Sequence, residues 1–179
     1  AYCHSSDVVM GGMDLPTDQE RQWRRSVHGR VWATRVEEGA YDDPDRDPDR
    51  ILPPTCAGCH DGHGAQEGSQ AVARCGECHS AVREAFDSGP HREAFQRRGF
   101  MDCVECHGSH DIRRADSSLL GVGREAACRR CHAQDQEMFE RIEQMGQQLA
   151  QAEAAERRAE ASDTISDDQR EHLRELRTE

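Results

Sequence analysis

Apolar positions are sparse along this chain, and their clearest periodicity lies in its C-terminal third. From Gln134 to Ala161 they fall at Met138, Ile142, Met145, Leu149 and Ala152, a 4-3-4-3 spacing that predicts one stripe along a helix. Residues 162–166 interrupt the pattern. Ser166 and Gln169 then form a capping box for a second helix that presents Ile165, Leu173 and Leu176. Residues 134–179 are therefore expected to form a helical hairpin or coiled coil, either packed on the preceding domain or used for self-association or partner docking. Upstream, the stretch Tyr41-Asp-Asp-Pro-Asp-Arg-Asp-Pro-Asp-Arg50 is acidic and broken by proline, and it reads as a solvated loop within residues 37–54. Its carboxylate spacing matches no standard calcium loop. No apolar run is long enough to span a bilayer, and no signal-peptide pattern is visible.

Composition sharpens the problem. The 179 residues are 35% hydrophobic and only 4% aromatic, which places the chain near compositions that stay unfolded. Side chains alone offer little with which to offset the entropy of ordering the chain, so a covalently held cofactor is the expected source of a core. The formal charge of −12 excludes nucleic acid as a natural partner and predicts that a protein docking electrostatically presents basic groups. All 23 basic residues are arginine and asparagine is missing, a bias we assign to the coding genome.

The cysteines say which cofactor. Eight of the nine fall into four pairs, Cys56/Cys59, Cys75/Cys78, Cys103/Cys106 and Cys128/Cys131, and each pair is followed at once by His60, His79, His107 or His132. With 10 His in 179 residues, four such placements by chance have odds of roughly one in 10^5. C-x-x-C-H is the attachment signature of haem c: two thiols add to the vinyl groups, and the adjacent His reaches the iron as proximal ligand. Zinc ribbons use C-x-x-C pairs too, but they need no following His. Short helices are expected to carry these turns, with extensive coil between them and little or no sheet. The ninth cysteine, Cys3, precedes His4. It reads as the end of a fifth motif whose first Cys would lie before Ala1, so four haems are expected with a fifth at Cys3/His4.

The other histidines repeat in register. His28 precedes the first motif and His63 follows it by three residues; His91 and His110 stand in the same places around the third motif. Two repeats result, about 26–80 and 88–133, with the tail of an earlier one at 1–25, so residues 1–133 are expected to form one cytochrome domain. His28, His63, His91 and His110 are accordingly expected as distal iron ligands. A short loop cannot carry His63 round the porphyrin bound by His60, nor His110 round that bound by His107. Each should therefore serve a different haem from its neighbour's. His172 has no counterpart in the repeat.

Ser-Val-His-Gly at 26–29, Cys103-Val-Glu-Cys-His-Gly-Ser-His110 and the alternation above resemble multihaem c-type cytochromes of the doubled C-x-x-C-H type, related to the tetrahaem quinol-linked and small class III cytochromes. The likeness covers residues 1 to about 135. It implies a mainly α, coil-rich scaffold of short helices wrapped round a haem chain, exported to the periplasm or cell surface. The acidic insert and the long helical tail depart from that pattern.

Three functions are compatible with these residues. The first is an electron relay through bis-histidine haems, exchanging electrons with redox proteins such as a quinol-oxidising or terminal reductase complex. The second is a reductase of a small nitrogen or sulfur oxyanion with one five-coordinate haem. The third is a subunit of a larger cytochrome assembly or filament. Two strong-field ligands per iron leave no open position, which favours the relay with no catalytic residues, and His/His ligation predicts low potentials.

Overall fold

A computed structural model describes residues 3–13, 15–37, 39, 52–61, 68–121, 123–124, 126–162, 166 and 169. The chain divides into two compact units, Ala1–Arg114 and Ala115–Glu179. Among the described residues there is no strand, and the fold is helical with coil between the helices, as expected. The acidic stretch at 41–50, His63 and His172 lie outside the described residues.

In the N-terminal unit a short 3-10 turn at Cys3–Ser5 precedes α1 (Asp7–Met10), α2 (Gln19–Arg25), α3 (Val27–Glu37), α4 (Cys56–His60), α5 (Gly68–Ala73), α6 (Cys75–Cys78), α7 (Ser80–Asp87), α8 (His91–Arg98) and α9 (Asp102–His107). Most are one or two turns long. Helices this short have no stability of their own in water, so tertiary contacts must hold them. The α2–α3 corner shows how. Ser26 is fully buried; its hydroxyl donates to the Trp23 carbonyl at 2.6 Å and accepts from the Gly29 amide at 3.1 Å, closing one helix and capping the next. Gly29 is required there, because a Cβ would stand 2.1 Å from the Trp23 carbonyl oxygen. Trp23 also meets Trp32 edge-on at 5.8 Å, and its indole N–H donates to the Pro54 carbonyl at 3.2 Å. Further along, Phe95 is buried between Phe86 and Phe100 at 5.7 and 5.5 Å, both edge-to-face, which joins α7 to α8.

The C-terminal unit contains α10 (Arg129–His132) and the long α11 (Gln136–Glu160), capped by the Asp135 carboxylate on the Met138 amide. The composition-based boundary at 133/134 falls inside this unit, so the fourth C-x-x-C-H belongs with α11. The reason is packing. Gly146 lies against the Leu120 backbone, where even an added Cβ would meet it at an ordinary 3.5 Å, and Glu153 accepts from both the amide and the hydroxyl of Ser117 at 2.8 and 2.7 Å. These contacts rotate the inner face away from the predicted stripe. Ile142 and Gly146 are buried, whereas Met138 and Met145 are 37% and 55% exposed. Of the expected second helix only Ser166 and Gln169 are described. They make the reciprocal bonds of a capping box, Ser166 amide to Gln169 side chain at 2.9 Å and Gln169 amide to Ser166 hydroxyl at 3.2 Å.

Across the described residues the buried apolar side chains are Met10, Val72, Phe95, Leu119, Ala126, Ala127 and Ile142. Seven such residues, two of them alanine, make a thin core for this length.

Candidate functional site

Every complete C-x-x-C-H lies on a helical turn: all of α4 for the first, α6 running into His79 for the second, the last five residues of α9 for the third, and Cys128 with α10 for the fourth. One turn places both sulfurs and the imidazole on one side of the backbone, which is the presentation a single flat group needs. Cys56, Cys78 and Cys131 are exposed and Cys59, Cys75, Cys103, Cys106 and Cys128 half-buried, all as free thiols. His4 is exposed in its own 3-10 turn.

The repeated histidines come to the motif histidines in pairs. His28, on the first turn of α3, faces His79 with ring centroids 6.1 Å apart and planes 26° from parallel. His110, in the coil after α9, faces His60 of the first motif at 5.9 Å and 22°. Two imidazoles bound to opposite sides of one metal, each with a metal–nitrogen bond of about 2 Å, have ring centres about 6 Å apart. The separation of each pair matches that of two such ligands, with the rings stacked near parallel. Among the described residues no three His, Cys, Asp or Glu side chains converge as a zinc cage requires. His110 lies opposite the His of a different motif from the one it follows in sequence.

The protonation states agree with such a role. Burial, then the neighbouring His79, holds His28 below the usual 6.5, and burial, then His60, does the same to His110, which keeps both rings neutral as iron ligands must be. His107 is oriented by the loop that follows it. Its Nδ1 lies 3.1 Å from the Arg113 carbonyl, which can only accept, so Nδ1 carries the proton and Nε2 is left for a metal. Arg113 closes this loop by donating its amide to the His107 carbonyl at 2.9 Å and its guanidinium to the Cys106 carbonyl at 2.9 Å. His91 begins α8 and meets Phe95 at 5.6 Å.

The sulfurs of successive motifs are also neighbours. Cys59 acts electrostatically on Cys75 and feels Cys78, and Cys75 and Cys103 lie near enough to perturb one another. The neighbouring sulfur favours the thiolate at Cys103 and, together with burial, opposes it at Cys75. Sequence reasoning missed this meeting of the second and third motifs, and it missed Arg83 and Asp102 beside it.

No family model, curated protein or solved structure matches the chain.

Proposed function

We propose that the chain is a multihaem c-type cytochrome that relays electrons between redox partners. The observation that carries this reading is the pairing of His28 with His79 and of His60 with His110, each at the separation of two axial ligands of one iron. In this reading Cys56/Cys59, Cys75/Cys78, Cys103/Cys106 and Cys128/Cys131 form the thioethers, and His60, His79, His107 and His132 are proximal ligands. His110 is the distal ligand opposite His60, and His28 the one opposite His79. His63 and His91 are the distal candidates for the other motifs, and Cys3 with His4 belongs to a fifth. When bound, haem c supplies a one-electron Fe(III)/Fe(II) couple. His28 with His79 and His60 with His110 would hold two of these irons from both sides and keep substrate off them, and the net negative charge of the chain would favour a basic partner. Thioether attachment takes place after export in bacteria, so the periplasm or cell surface is the compartment that follows.

The test combines a pyridine haemochrome count and intact mass with the ferric spectrum. Four or five haems per chain, low-spin and unchanged by nitrite, sulfite or CO, are expected. A high-spin fraction that responds to one of these ligands would transfer the assignment to an oxyanion reductase. Colourless protein, or zinc on the thiolates, would overturn it entirely.

A further inference from the structure

Between the two histidine repeats, α7 sends Arg83 toward both neighbouring motifs. Its aliphatic stem covers Gly76 inside the second motif, where a Cβ would come within 3.0 Å of Arg83 Cγ. Its guanidinium bonds the Asp102 carboxylate at 3.0 Å and Asp87 at 2.8 Å. Arg92 of α8 completes the cluster, reaching the same Asp102 oxygen at 3.1 Å and Asp87 at 3.3 Å. Asp102 immediately precedes Cys103 and is only 18% exposed at its side chain. Its φ is +33°, in a region L residues rarely adopt, so the two guanidiniums hold the backbone in an unfavourable shape at the residue that aims Cys103. Arg83 thus touches the second motif at Gly76 and holds the residue that precedes the first cysteine of the third.

We propose that Arg83 and Asp102 are positioning residues that clamp the second motif to the third, so that the cofactors of the two repeats are held close enough to couple electronically. The inference rests on the haem-attachment reading and adds where, and by which residues, the two repeats are joined. An ion pair within one helix does not do this. Arg97–Glu93, at 2.9 Å with side chains 70% and 81% exposed, lies within α8 alone and serves as the control.

The experiment compares the intact haem-loaded protein with R83Q, D102N and R97Q by Soret circular dichroism, with haem per chain counted in each. Coupled porphyrins give a two-signed Soret band. Its amplitude should fall about twofold or more in R83Q and in D102N at unchanged haem content, and stay at the parent value in R97Q. D102N is chosen because Asn tolerates positive φ, so it removes the charge without adding backbone strain. Should R83Q fail to load, R83K keeps the positive charge without the forked guanidinium, and an intermediate fall is expected from it. A full-sized couplet in loaded R83Q or R83K and in loaded D102N, or a loaded parent without any couplet, overturns the clamp alone. A parent without haem overturns the reading beneath it.

Discussion

The Val27 amide donates to the Ile112 carbonyl at 3.0 Å, so the segments that carry His28 and His110 rest on one backbone bond. Arg25 and Asp111 add an ion pair at 3.1 Å across the same seam. Two candidate ligands 82 positions apart in sequence are thereby held in fixed relation. Each nonetheless faces a different motif histidine, and the two should be separable by mutation. His28→Ala and His110→Ala are each expected to convert one haem per chain to a high-spin, CO-binding form, and the double variant two. Electron paramagnetic resonance of the ferric proteins measures this. A low-spin spectrum in both single variants would remove the assignments.

Gly29→Ala tests the corner that presents His28. The new Cβ would meet the Trp23 carbonyl and the Arg24 Cα at 2.1 and 2.7 Å, and backbone cannot yield as a flexible side chain does. A loss of about 2 kcal/mol or more is expected in urea unfolding, together with the spectral change of His28→Ala. Ala at the solvent-facing Gly12, where a Cβ meets nothing within 4 Å, should leave both readouts near the parent.

How much of this was legible in the sequence depends on distance along the chain. The C-x-x-C-H turns and the repeat of His28, His63, His91 and His110 could be named from spacing alone, because a motif and its repetition are properties of the chain itself. Their partners could not. That His110 meets His60, or that Cys75 meets Cys103, is decided by how α2, α5, α7 and α9 pack, and none of these helices is long enough to show a period. The α11 stripe misled for a related reason. Hydrophobic spacing weighs Met145 above Gly146 and Glu153, but a residue with no side chain can be buried against the Leu120 backbone, and a hydrogen-bonded carboxylate can face inward. The Ser166–Gln169 box was legible because capping is local.

Glu153 gives a direct test of that last point. Its two oxygens satisfy the Ser117 amide and hydroxyl, so Glu153→Ala leaves a part-buried amide without its partner. A loss of about 1–2 kcal/mol in the stability of the C-terminal unit is expected, measured by hydrogen exchange of its amides. Met145→Ala, on the outer face, should cost less.

The N-terminal segment carries a pH dependence. The Ser5 hydroxyl, donating at 2.7 Å, and then Arg24 hold Glu20 below its ordinary 4.5. A depressed carboxyl stabilises the folded form above its unfolded pKa, and that contribution fades as pH falls below 4.5 through the lower folded value. Thermal melts at neutral pH and near pH 3 should therefore differ more for the parent than for Glu20→Gln. Equal losses in the two proteins would assign the acid sensitivity elsewhere.

The thin core has a calorimetric consequence. The heat-capacity increment of unfolding reports apolar surface newly wetted, and a polypeptide that buries so few large side chains has little to wet. Without the proposed haem, it should warm through a shallow, broad transition with almost no step in baseline. On the proposed reading the loaded protein should instead absorb heat in one sharp event, with polypeptide and tetrapyrrole melting as one cooperative unit. Scanning such a pair side by side would weigh what a porphyrin adds to the interior.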